Sequence, residues 1–314
     1  MSSEQRRNLA PRGWHPEVHR ALLDLLDRAP AGEAVVFDFD NTCILGDVGE
    51  LFGHFMVQQM RYRYDLDAFW ELVHPEDGRE ALRELTEAAL ELSAHEREGS
   101  PLYERYLAQM SGLYGRRLQR AGKRDCYEWA VRLHVGLSEE EMTSWSKEVI
   151  ARELIEPRRR ERYRCDDGHV AEVQRGIRPF VEIYELMRAL EAAGLEIWIV
   201  SASNIWTVRA FADHFGLPQE RVLGNRVAVE EGRLTDKTRI PALYREGKMA
   251  IIEEVIGKTP VLVAGDAVTD YEMLCGAGEL ALVIDRGDEL LRKEGRKRGW
   301  LMQPQQQLTA RELR

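Results

Sequence analysis

Three short apolar runs in this chain each stop at polar or acidic residues, and the types gathered at those stops can do chemistry. Ala34 to Phe37 runs into Asp38, Asp40 and Thr42, Ile197 to Val200 into Ser201, and Val261 to Ala264 into Gly265, Asp266 and Asp270. Asp38, Asp40 and Asp266 offer hard oxygen ligands, which suit Mg²⁺ and leave room on it for waters and a substrate phosphate. Without a cation, three neighbouring carboxylates repel and one of them tends to take up a proton. Lys248, at the start of the helical pattern ahead of Asp266, could neutralise both the carboxylates and an incoming phosphate. Thr42 and Ser201 carry hydroxyls that can donate to phosphoryl oxygens, and backbone N–H groups after Asp38 can point the same way. Such a set suits hydrolysis of a phosphate monoester. A carboxylate nucleophile divides the reaction through an aspartyl-phosphate, a second carboxyl protonates the leaving oxygen and then activates water, and a metal holds the charge.

Residues so far apart can meet only if strands gather them. The apolar runs, with a fourth from Leu280 to Ile284, read as strands buried on both faces of a parallel sheet. Helical stripes lie between the last three: Phe180, Ile183, Tyr184, Met187 and Leu190 before Gly194, then Met249, Ile252, Val255 and Ile256 before Gly257. An earlier stripe, Val18, Leu22, Leu25 and Leu26, precedes the first strand. This alternation predicts an α/β, doubly wound parallel sheet, in which ligands bind outside the carboxyl ends of the strands near the switch in strand order. Between the first and second strands lies a long segment of different character. Val48, Leu51, Phe52 and Phe55 sit at helical spacing, and similar patterns cover 78–94, 101–120 and 138–155. Asp167-Gly168 and Glu231-Gly232 are hairpin signals. The organisation expected is a core of residues 1–46 and 170–314 with a helical cap over 47–169.

Composition narrows the classes. The 314 residues are 44% hydrophobic and carry a formal net charge of −10, which excludes a disordered chain or a rod and disfavours nucleic acid as a partner. The basic stretches at 158–164 and 292–298 are interleaved with Glu and read as solvated surface. No apolar run approaches the roughly 20 residues of a membrane span, and the start has no apolar h-region, so no membrane is expected and a cytoplasmic location follows. Cys43, Cys126, Cys165 and Cys275 stand far apart and read as reduced thiols. Gln305 to Gln307 are expected to fray. A small phosphorylated metabolite is the expected partner, and a homodimer is left open.

AVVFDFDNT resembles the first motif of the haloacid dehalogenase superfamily, D-x-D-x-T after an apolar strand; WIVSASN resembles its second, Lys248 its third and GDAVTD its fourth, all in order. The resemblance implies that Asp38 is the nucleophile and Asp40 the general acid/base. It implies Mg²⁺ bound by the Asp38 carboxylate, the Asp40 carbonyl and Asp266, with Asp270 in the metal set, orienting the metal waters or Lys248. It places Thr42, Ser201, Ala202 and Asn204 around the phosphate. Members that cleave carbon–halogen bonds lack the second Asp of motif one, so Asp40 favours phosphoryl chemistry. A cap inserted directly after motif one is similar to that of the phosphoserine-phosphatase-like branch, where an acidic residue nine positions after the nucleophile contacts the substrate amine; Asp47 holds that position here, with Glu50 close behind. Phosphorylcholine phosphatases of the same branch have a comparably large cap. The substrate implied is phosphoserine, phosphocholine or phosphoethanolamine; aromatic groups and a carboxylate commonly hold a quaternary ammonium such as that of phosphocholine.

Plainer readings stand beside these. Asn204 and Asp270 could be N-caps, and Asp47 and Glu50 ordinary first-turn acids. Lys237 and Lys258 compete with Lys248 for the ammonium role. Phe52, Phe55, Tyr62, Tyr64 and Trp70 could be cap core rather than a cation box, and Arg178 could reach the phosphate or be a surface charge. Phosphoryl transfer to another acceptor, or a non-catalytic protein binding a phosphorylated ligand, would use the same scaffold.

Overall fold

The four apolar runs are strands of one six-stranded sheet in a computed structural model that describes residues 9–238 and 242–311. In chain order the strands are β1 (Ala34–Phe37), β2 (Glu196–Asn204), β3 (Val222–Asn225), β4 (Leu262–Gly265), β5 (Leu280–Asp285) and β6 (Leu301–Pro304), arranged β6-β5-β4-β1-β2-β3. The β1–β4, β1–β2, β4–β5 and β5–β6 pairings are parallel. Every residue of β1 and β4 is buried, as expected of apolar strands covered on both faces. After β1 the chain winds to β2 and β3, then returns to β4 on the other side of β1. The switch in strand order therefore falls between β1 and β4.

Helices α1 (Pro16–Arg28), α2 (Val181–Ala192), α3 (Ile205–Ala212), α4 (Glu246–Ile251), α5 (Tyr271–Cys275) and α6 (Glu289–Arg298) accompany this sheet, which carries helices on both sides. The apolar stripe of α1, Val18, Leu22, Leu25 and Leu26, is buried. The segment leading into α1 is tied to the edge strand β6 by buried Gln303, which accepts from His15 N at 2.8 Å and donates to Gly13 O at 3.0 Å. Strands β3 and β6 carry weaker signals, since β3 contains Gly224 and β6 ends in Gln303 and Pro304. The glutamines expected to fray form a 3₁₀ turn instead, and Gln305 donates to Asn41 O at 2.8 Å.

The chain divides into two units. One holds the residues up to Asp47, 177–224 and those from Leu243 onward; the other holds Val48–Gly176 and Asn225–Ala242. The second unit thus runs past the 47–169 expected of a cap and takes in a later segment. It contains helices Val48–Gln58, Arg79–Leu90, Pro101–Arg132 and Glu139–Ile155 and two antiparallel hairpins, Arg159–Arg164 with Val170–Arg175 and Val227–Glu230 with Arg233–Thr238. The later hairpin belongs here because Leu234 N and O bond Leu137 O and Gly136 N, each at 2.8 Å. Its aromatic residues form core. Phe52, Phe55, Tyr62, Tyr64, Phe69, Trp70 and Tyr106 are buried, and Tyr64 and Tyr106 join their hydroxyls at 2.7 Å.

Candidate active site

Asp38 emerges where β1 ends, its N–H bonded to Ala264 O at 2.8 Å, so its position is continuous with the sheet. The chain then turns sharply. Asn41 takes a left-handed φ of 60°, a conformation that Asn tolerates better than most residues. Asn41 N bonds Gly46 O at 3.1 Å, closing the loop. Within it, Thr42 Oγ1 lies 3.1 Å from Asp38 Oδ2 and 3.3 Å from Asp266 Oδ1. The Cys43 thiol donates to Asp38 O at 3.0 Å, and burial pushes its pKa up, which leaves it an inert internal donor.

Asp266 follows β4 directly, beside β1. Asp38, Asp266 and Asp270 place their ligand oxygens within 4.8 Å of one another, and all three are buried. Lys248 Nζ, fully buried, donates to Asp38 Oδ1 at 2.5 Å and to Asp270 Oδ1 at 2.6 Å. Asp270 Oδ2 accepts from Asp266 N and Ala267 N, both at 3.0 Å. Gly265 permits this approach: a Cβ there would lie 2.6 Å from Asp270 Cβ.

The electrostatics follow from crowding at a buried site. Burial, then the Asp270 charge, push the Asp38 carboxyl up to about 6 against the opposing pull of Lys248. Burial and the Asp38 and Asp270 charges raise Asp266 well above the carboxylate range, with Arg286 opposing. Burial alone would lower Lys248, but Asp270 and Asp38 hold its ammonium above its ordinary value. An acid group raised by its neighbours is relieved by a cation, so the donor set fits a divalent ion.

The other candidates separate by their contacts. Asp40 does not join its carboxylate to the acid triad; its Oδ2 accepts from Ser203 Oγ at 2.6 Å and lies 3.5 Å from Ser201 Oγ. Ser201 is buried within β2, and Ala202 is half-buried. Asn204 caps α3, its Oδ1 accepting from Thr207 N at 2.9 Å and Thr207 Oγ1 at 2.8 Å, so its oxygen serves the helix rather than a ligand. Asp270 has both oxygens engaged, Oδ1 by Lys248 and Oδ2 by two backbone N–H groups. Asp47 is half-buried at the end of one segment of the first unit, while Glu50 is exposed on the first turn of a helix of the second. Lys258 bonds Gly32 O, and Lys237 pairs with Glu230, both exposed.

Three residues went unassigned from sequence. Ser203 Oγ donates to Asp40 Oδ2 at 2.6 Å. Arg178 is 1% exposed, not a surface charge. Arg286 Nη1 donates to Asp266 Oδ2 at 2.7 Å. It stands directly after β5, and the rule that ligands gather at carboxyl ends of strands could have found it.

A family model of haloacid dehalogenase-like hydrolases matches residues 106–274, a span that includes Ser201, Lys248, Asp266 and Asp270. Among solved structures, the chain is similar to a protein of unknown function from Anaerococcus prevotii DSM 20548, 24% identical, with a TM-score of 0.82 over 94% of each chain. It is also similar to a protein of unknown function from Bordetella pertussis Tohama I, 17% identical, with a TM-score of 0.55 over 88% of this chain and 100% of that one. Both likenesses show the fold. A substrate-bound phosphoserine phosphatase matches at 15% identity and a TM-score of 0.41 over 84% of this chain and 90% of that one, too distant to carry an argument. No curated protein matches the sequence.

Proposed function

We propose that this chain, which belongs to the haloacid dehalogenase-like hydrolase family, is a Mg²⁺-dependent phosphatase of the phosphoserine-phosphatase-like branch. Its substrate is a small phosphomonoester with a cationic or zwitterionic head, of the phosphoserine, phosphocholine or phosphoethanolamine type. The observation that carries the reading is the Asp38 carboxylate held between Lys248 and Thr42 and facing Asp266 in a buried acid cluster. A carboxylate at the end of a covered strand is costly unless a cation and hydrogen bonds compensate it.

In this reading the Asp38 and Asp266 carboxylates and the Asp40 carbonyl would hold Mg²⁺, which would supply charge compensation to the phosphoryl oxygens. Asp38, with its pKa near 6, is mostly ionised at neutral pH, and Lys248 keeps it so. One of its oxygens bonds to phosphorus as the ester oxygen departs. Asp40 gives that oxygen its proton, then takes a proton from the water that attacks the aspartyl-phosphate and restores Asp38. Ser203 orients Asp40 for both transfers. Thr42 and Ser201 donate to the phosphoryl oxygens, while Asp270 fixes Lys248. Asp47 and Glu50 are assigned to the substrate's cationic head, and the net charge of −10 disfavours nucleic acid as a partner.

The test is phosphate release from a panel of phosphomonoesters with Mg²⁺ and with chelator. Asp38→Asn, close in shape, should remove turnover while leaving the unfolding midpoint nearly unchanged. Wild-type rates in that variant would show the nucleophile to be elsewhere, and stoichiometric binding without release would favour a non-catalytic role.

A further inference from the structure

We infer that Arg286 balances cation against phosphate at the acid cluster, weakening divalent-metal binding while strengthening phosphate binding through a single guanidinium charge. The inference rests on the phosphatase reading and extends it to a residue outside the four motifs.

Arg286 is the first residue after β5, and β5 lies beside β4, with Gly265 opposite Val283. The next residue, Gly287, has a φ of 102°, so the chain turns away at once. The acid nearest in sequence, Asp285, is already engaged; it accepts from Gly287 N at 2.9 Å and from Arg292 Nε at 2.9 Å. The Arg286 guanidinium reaches Asp266 instead, through one N–H at 2.7 Å, and the side chain is 44% exposed. A guanidinium built to stabilise a carboxylate pairs through two parallel N–H groups. This one touches with one, and its other N–H groups have no protein partner among the described residues. It is a half-solvated cation at the rim of a buried cluster.

Charge counting gives the consequence. With Asp38, Asp266, Asp270, Lys248 and Arg286 all ionised, the cluster carries one net negative charge. A divalent cation turns that to one positive, and a phosphate dianion then returns it to one negative. Without Arg286 every stage is one unit more negative, so the metal enters more readily and the phosphate less readily. Both ions experience the same charge with opposite sign. A merely structural role would weaken both affinities together.

The experiment titrates Mn²⁺ into the metal-free protein by electron paramagnetic resonance, with Mg²⁺ as competitor. Inorganic phosphate is then titrated calorimetrically at saturating Mg²⁺. Arg286→Gln should bind Mn²⁺ on the order of tenfold more tightly and phosphate on the order of tenfold more weakly, the size expected of a unit charge at a half-exposed site. Arg286→Lys, which keeps the charge, should stay near wild type in both. Unchanged or weaker Mn²⁺ binding by Arg286→Gln overturns the inference. A wild-type protein that binds no Mn²⁺ overturns the phosphatase reading together with it, whereas normal wild-type binding without the opposed shifts overturns this inference alone.

Discussion

Replacing Gly265 with alanine tests how tightly the cluster geometry is set. A Cβ at this position would stand 2.6 Å from Asp270 Cβ and 2.8 Å from its Cγ and Oδ2, against the ~3.4 Å at which ordinary contact begins. The shortfall of about 0.8 Å cannot be absorbed by a swinging side-chain end, because the obstructing atom is the Asp270 Cβ itself. Asp270 is also held at 3.0 Å by two backbone N–H groups and at 2.6 Å by Lys248. Moving it by that amount stretches all three bonds. Overpacking a full core costs about 1–3 kcal/mol, and leaving a buried acceptor short of its donors costs a similar amount, so a loss of roughly 2–6 kcal/mol is expected. Misplacing a catalytic group by ~1 Å costs on the order of 100-fold in rate. Urea denaturation would read the first quantity, and kcat for p-nitrophenyl phosphate with Mg²⁺ the second. Gly53→Ala is the control: it sits in a helix, its added Cβ meets Tyr62 at an ordinary 3.8 Å, and it should be neutral or slightly stabilising. A Gly265→Ala protein within twofold of wild-type kcat would refute the claim that Asp270 must hold its place for Lys248 to work.

Lys248→Met leaves Asp38 and Asp270 buried without their shared cation, which should destabilise the metal-free protein by about 3–5 kcal/mol. It should also raise Asp38 further, so that turnover falls at least 100-fold and the remaining activity moves to higher pH; an unshifted pH profile would count against this. His134, buried between Phe52 and Tyr62, has its pKa pushed down to about 4 by burial, against 6.5 for an ordinary histidine. Below pH 6.5 the unfolded chain takes up a proton that the folded ring refuses until about pH 4, so stability falls as pH falls through that window, by at most about 3 kcal/mol. His134→Phe should keep the ring packing and lose this share of the slope, measured as the difference in urea midpoints at pH 7 and 4.5; an unchanged slope would place the proton uptake elsewhere.

The strand ends were legible because a covered strand has nowhere to put polar side chains, so each apolar run stops where its reactive residues begin. Asp38, Asp266 and Ser201 follow from that rule. Asn204 did not, because Asn after a strand serves equally as ligand or cap, and only the bonds to Thr207 decide. Arg286 was hidden by its surroundings: Asp285, Asp288 and Arg292 make the segment read as solvated surface. The 225–242 segment gave a clear hairpin signal but no sign of its long-range partners, since its bonds to Gly136 and Leu137 join positions about a hundred residues apart. Arg178 was ambiguous, because a lone Arg beside Ile177 and Pro179 fits either surface or interior.

Three carboxylates of one chemical type acquire three roles from their surroundings, a general way of dividing acid chemistry within a site. Asp270 is satisfied wholly by the protein, through Lys248, Thr269 and two backbone N–H groups, so it is the fixed point of the cluster. Asp38 shares Lys248 with it but turns its second oxygen to the Thr42 hydroxyl. Asp266 has the same hydroxyl on one oxygen and Arg286 on the other. A hydroxyl can turn and a half-exposed guanidinium can leave, whereas a buried ammonium between two acids can do neither. The contacts of Asp38 and Asp266 that can exchange are therefore those to Thr42 and Arg286, while the pair of Lys248 and Asp270 stays fixed.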